Sequence, residues 1–149
     1  MSGYTAAEFL TPEERQQVEA AIAEAERMTS GELRIHLEDH IEEEVLDHAA
    51  FIFEELAMHR TRDRNAVLLY VCVADRQVAV VGDRGIHARV GPGFWSDVVA
   101  VLKLQFAADR RCEGLCDAAR MIGEKLKEHF PQRSDDDDEL SNTVTFSKG

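Results

Sequence analysis

Nine consecutive apolar residues, Ala66 to Ala74, are followed by the turn pair Asp75-Arg76 and a second apolar segment, Gln77–Val81. A run this short and this continuous fits a β-strand buried on both faces, which requires helices above and below its sheet. Asp75-Arg76 then closes a hairpin, and Gln77–Val81 returns as the antiparallel partner. The pair is bracketed by polar groups that packing does not require. Arg64-Asn65 opens the first strand and Gly82-Asp83 closes the second, so in an antiparallel arrangement these four residues meet at one end of the sheet.

The rest of the chain supplies the covering helices. Thr11-Pro12-Glu13-Glu14 carries a cap, a proline at the first helical position and a glutamate placed for a capping box, and Val18, Ile22 and Ala25 follow at helical spacing. Gly31, after Thr29-Ser30, is expected to stop this helix. In Leu33-Arg34-Ile35-His36-Leu37 apolar and polar residues alternate with the period of a strand, whereas Asp47 to Met58 returns to helical spacing through Ala49, Ile52, Phe53 and Leu56. Strand, helix, strand implies a parallel pair joined by a right-handed crossover. Beyond Asp83, a short helix is expected over Arg84–Val90, a break at Gly91-Pro92-Gly93, and two longer helices over 94–108 and 116–130, the last ended by Pro131.

In this topology the starts of the two parallel strands and the finish of the hairpin share one rim. It collects Ser30-Gly31-Glu32, Thr61, Arg64-Asn65 and Gly82-Asp83. Two carboxylates close together at a sheet edge repel unless a positive group lies between them, and the candidates are Arg64 or a divalent cation. The plainer alternative treats Asn65 and Asp83 as turn residues, Glu32 as solvated and Arg64 as half of a surface ion pair of little energy.

Composition narrows the function classes. Seventeen basic against 29 acidic residues give a net charge of −12, which disfavours nucleic acid, because phosphate backbones are bound by clustered Lys and Arg. Part of the acidity is local, in the run Asp135 to Glu139, which reads either as a solvated tail or as further oxygen ligands for an ion. With 149 residues the chain is expected to form one domain, with an acidic C-terminal segment over 132–149. The longest apolar run is half of a membrane span, and the N-terminus lacks the basic and apolar regions of a signal peptide. Three cysteines, Cys72, Cys112 and Cys116, do not suit a disulfide framework, so a cytoplasmic protein with no membrane partner is expected.

Several segments carry a family resemblance in their order and spacing: Thr29-Ser30-Gly31-Glu32; Met58 through Thr61 to Arg64-Asn65; Val67-Leu68-Leu69-Tyr70; Gly82-Asp83-Arg84-Gly85-Ile86; Phe94-Trp95; Phe130-Pro131; and Asp138-Glu139-Leu140. From Phe9 to Phe146 the chain resembles the TPM domain family, sometimes called TPM phosphatases, and within it the small soluble subgroup without signal peptide or membrane anchor. The resemblance implies a three-layer α/β/α sandwich around a small mixed β-sheet, and it implies acid-phosphatase-like activity and binding of calcium or another divalent ion. Ala66 stands where the family usually has Gly, and Asp138 and Ser141 stand where Asn and Pro are common near Glu-Leu.

Other motifs fall short of a site. His36 and His40 are four apart but lack the zincin pattern and a third ligand, and are expected to be ordinary surface histidines. Cys112 and Cys116 have neither metal-site nor redox spacing; one of these thiols is expected to pack against the core, as is Cys72. A phosphate-cradling Gly-rich loop, a nucleophile elbow and a Cys-x5-Arg motif are all missing, so no covalent phosphatase mechanism is supported. The expected chemistry is metal-assisted hydrolysis of a phosphomonoester on a small molecule or protein. Glu32, Asn65 and Asp83 would hold Ca or Mg, with Asp137 and Glu139 joining if the tail folds back. Arg64 and Asp83 would be the catalytic pair, Arg64 clamping phosphate. The alternative is a non-catalytic module that binds a cation and a protein partner.

Overall fold

The computed structural model describes residues 5–132 and 144–146. After a 3-10 turn at Ala6–Glu8 come α1 (Pro12–Glu26), β1 (Glu32–Glu38), α2 (Val45–Glu55), a 3-10 turn at Met58–Arg60, β2 (Ala66–Cys72) and β3 (Gln77–Gly82). Three helices follow, α3 (Arg84–Val90), α4 (Pro92–Ala107) and α5 (Arg111–His129), and a short strand, β4 (Thr145–Phe146). The strands form one mixed sheet in the order β3-β2-β1-β4, with β1 parallel to β2 and to β4, and β2 antiparallel to β3.

Both faces of the sheet are covered. Alternate residues of β1 and β2, among them Leu33, Ile35, Val67 and Leu69, pack on α1, α4 and α5 through Ile22, Leu102 and Leu126. The opposite side of β2, Ala66, Leu68, Tyr70 and Cys72, packs under Ala49 and Phe53 of α2 and under Met58. Every residue of β2 is buried, which is what its continuous apolar run anticipates, and the architecture is the expected α/β/α sandwich. Thr11 caps α1 with a capping box to Glu14, as expected.

Several boundaries differ from the expected ones, each for a local reason. α1 ends at Glu26, before Gly31; a β-carbon at Gly31 would lie 2.6 Å from a Leu126 methyl, so this glycine serves the close approach of β1 to α5. α2 begins at Val45 because the Glu44 carboxylate accepts the amides of Leu46 and Asp47, and α4 begins at Pro92, a residue favoured at a first helical turn. α5 begins at Arg111, so Cys112 and Cys116 lie one turn apart on its α1-facing side. Cys112 and Cys72 are buried, as expected.

Candidate functional site

The loop between α2 and β2 presents the polar rim. The amide of Arg64 donates to the Thr61 carbonyl at 3.3 Å, and that of Asn65 donates to the Thr61 hydroxyl at 3.2 Å, which makes Thr61 the staple of the turn. Arg64 adopts a left-handed backbone, φ 52°, uncommon for a residue with a side chain. In that conformation its carbonyl accepts the Gly85 amide at 2.8 Å, and its guanidinium reaches Asp83 with two parallel bonds, Nε to Oδ2 at 2.7 Å and Nη2 to Oδ1 at 2.9 Å. This is the strong fork-to-carboxylate geometry that lysine cannot reproduce.

The Gly82-to-Ile86 segment is built around the same contact. Asp83 caps α3 by accepting the Arg84 amide at 2.8 Å, and its own amide donates to the Ala66 carbonyl at 2.9 Å. A β-carbon at Gly85 would sit 2.2 Å from the Asp63 carbonyl oxygen and 2.5 Å from that of Arg64, so only glycine allows α3 to seat against the loop. A β-carbon at Gly82 would lie 2.5 Å from the Trp95 ring. Two of the motif glycines thus answer to packing, whereas the arginine and the aspartate answer to each other.

The third side of the rim comes from the link into β1. Thr29 donates its hydroxyl to the Phe130 carbonyl, the Ser30 amide donates to that same oxygen at 2.9 Å, and Gly31 donates to the Thr29 hydroxyl at 3.0 Å. The segment is thereby fastened to the end of α5. Ser30 in turn accepts the Asn65 Nδ2 at 3.2 Å. Asn65 is 1% exposed, and its Oδ1 is buried with no hydrogen-bond partner among the described residues. Glu32, 3% exposed, pairs with Ala66 in the sheet, on whose other side Asp83 is bonded, so the two carboxylates lie in one row across three strands. Two inter-strand spacings separate their backbones by roughly 10 Å.

The positive group on Asp83 is therefore Arg64. The hydrogen bonds and charge of Asp83 hold the Arg64 guanidinium above its usual range, although the Arg64 side chain is one-third exposed. Next along β1, burial draws the Arg34 guanidinium down while Glu26 opposes the shift. Arg64, Asn65, Asp83 and Glu32 are brought to one rim, as the strand pattern anticipates. Asp137 and Glu139 lie outside the described residues. Among the described residues, no group of three or more His, Cys, Asp and Glu side chains is placed to hold a metal ion by those residue types alone.

A family profile described as TPM domain matches residues 4–125. The chain belongs to the TPM domain family. Its fold is similar to the BA42 protein of the psychrophilic bacterium Bizionia argentinensis, with 41% identity, a TM-score of 0.88 and coverage of 94% of this chain and 97% of that one. It is also similar to the N-terminal domain of a protein from P. gingivalis, with 16% identity, a TM-score of 0.70 and coverage of 85% and 84%, a likeness of fold alone. The comparison with curated proteins found no match. Among the described residues of this TPM domain, no helix is long and apolar enough to cross a membrane.

His36 departs from the expected surface position. It is 7% exposed, stacks on Tyr70 at 5.8 Å, and bonds Thr145 Oγ1 at 2.8 Å and Glu38 at 3.0 Å. Its strand position was legible, but the cover from β4 was not, because only two residues form that strand. His40 remains exposed, between Asp75 and Glu42. Sequence reasoning also missed that Gly85 holds the Arg64 loop in place. Its one signal was the spacing of Gly85 from Asp83.

Proposed function

We propose that this TPM domain is a divalent-cation-binding module that engages a protein partner, with calcium or magnesium held at the rim by Glu32, Asp83 and the carbonyl of Asn65. The observation that carries this reading is the Asn65 Oδ1. A buried amide oxygen without a donor costs about 1–3 kcal/mol, and one lying in the same rim as two carboxylates suits a hard ion, which takes oxygen ligands of just these kinds. Arg64 holds Asp83 in its orientation meanwhile, and its exposed edge keeps donors for an anionic group on the partner.

Thermal unfolding with millimolar calcium, magnesium or chelator tests the proposal. An ion at a hundredfold excess over its Kd stabilises the folded state by about 2.7 kcal/mol, which raises the Tm of a chain this size by roughly 5–10 °C. The rise should vanish in Glu32→Gln. No shift with either ion in the wild type removes the cation reading.

A second reading, hydrolysis of a phosphomonoester, is favoured by one observation: a guanidinium fixed in plane by a buried carboxylate at the same rim. A bound divalent ion would polarise the ester and acidify a water. Arg64 would hold the phosphate by two-point recognition and Asp83 would keep Arg64 in plane. Phosphate release from p-nitrophenyl phosphate, with and without chelator, tests it. Equal trace turnover in the wild type, Glu32→Gln and Asp83→Asn removes the enzyme and leaves the binding module.

A further inference from the structure

At the end of the sheet opposite the Arg64–Asp83 rim, where β2 finishes and β3 begins, lies a cavity of about 490 Å³. Its apolar wall is made by Phe9, Val71, Val73, Val78 and Phe106. Around it stand Arg76, Lys103 and Arg111, opposed by one acid, Asp109. Arg111 is fixed in place: its Nε donates to the Phe9 carbonyl at 2.8 Å, its Nη1 to Asp109 at 2.6 Å, and its guanidinium lies 5.6 Å from the Phe9 ring centre. Arg76 and Lys103 form no ion pair among the described residues. In a chain of net charge −12, three cations on one apolar cavity are a local reversal of the surface. The volume is in the range of small-molecule sites, and an open α/β sheet commonly takes ligands beyond the carboxyl ends of its parallel strands.

We propose that this cavity binds a small monoanion with an apolar body, of the class of medium-chain alkyl carboxylates. The apolar wall takes the chain, and Arg76 and Lys103 take the carboxylate. The proposal is independent of the cation reading at the other rim. Its ligand is a free amphiphile; a membrane surface is a different partner and is separated by the test.

Amide shifts in the full chain are followed during titration with decanoate, decanol and decyltrimethylammonium, each below its aggregation threshold. Decanoate should move amides of 71–78 and 103–109 and bind at least tenfold more tightly than decanol. The double variant Arg76→Asn, Lys103→Glu should erase that preference; asparagine is chosen because Arg76 has a left-handed backbone, φ 55°, which asparagine tolerates. Ala107→Trp, on an exposed residue lining the cavity, should block both decanoate and decanol with an unchanged Tm. Equal affinity for decanoate and decanol, preference for the cationic amphiphile, shifts elsewhere, or unaltered binding in Ala107→Trp overturns the proposal. So does sedimentation with anionic lipid vesicles in the absence of any response to monomeric decanoate.

Discussion

Gly85→Ala and Gly93→Ala are the same substitution at the same place, the second residue of α3 and of α4, yet they should move stability in opposite directions. At Gly93 a β-carbon meets nothing within 4 Å, so alanine should be neutral or gain up to about 1 kcal/mol from helix propensity. At Gly85 the new methyl would lie 2.2 and 2.5 Å from two backbone carbonyl oxygens, which cannot rotate away as a side chain would. Relieving the clash displaces the Arg64 loop and breaks the 2.8 Å bond from the Gly85 amide to Arg64. That bond is worth about 1 kcal/mol and the overpacking about 1–3. Against these stands the same helix-propensity gain of about 1 kcal/mol. The net loss is about 1–3 kcal/mol, or roughly 2–12 °C in Tm for a domain of this size. Scanning calorimetry or circular dichroism of the two variants beside the wild type gives the comparison. A Gly85→Ala protein as stable as the wild type would refute the close approach, and with it the account of how Arg64 is held on Asp83.

Leu126→Ala should cost about 2–5 kcal/mol by denaturant unfolding, because Leu126 is fully buried and fills the space left by Gly31. Burial pulls the His36 imidazole below its usual 6.5, so the unfolded chain takes up a proton before the folded one does. Stability from this group is therefore full above pH 6.5 and falls as pH drops through the folded value, and His36→Asn should flatten that part of a stability-against-pH curve. Burial likewise pushes the Cys72 and Cys112 thiols up to about 12, so both should resist iodoacetamide at pH 8 until the protein is unfolded. Alkylation of Cys72 or Cys112 in the native state, read by mass spectrometry, would contradict their placement.

The order of elements was legible because its signals are local. Continuous apolarity marked β2, alternation marked β1, and the capping box at Thr11 marked α1, each readable within a few residues. The rim was legible at one remove. Once β1 and β2 are parallel and β3 returns, the chain has no choice but to bring Ser30, Arg64-Asn65 and Asp83 to the same end of the sheet. Boundaries read less well where a distant contact decides them, as at Gly31, whose role is set by Leu126.

Alone, the sequence determined a doubly covered mixed sheet with an acidic surface and a polar rim, since hydrophobic period and turn chemistry depend on neighbours along the chain. Only the tertiary structure decided which charges face each other. Arg64 is bonded to Asp83, His36 is buried against Tyr70, and the cations Arg76, Lys103 and Arg111 gather around one cavity at the far end of the sheet. Such pairings depend on register and helix placement, quantities that couple residues far apart in the chain and leave no periodic trace in it.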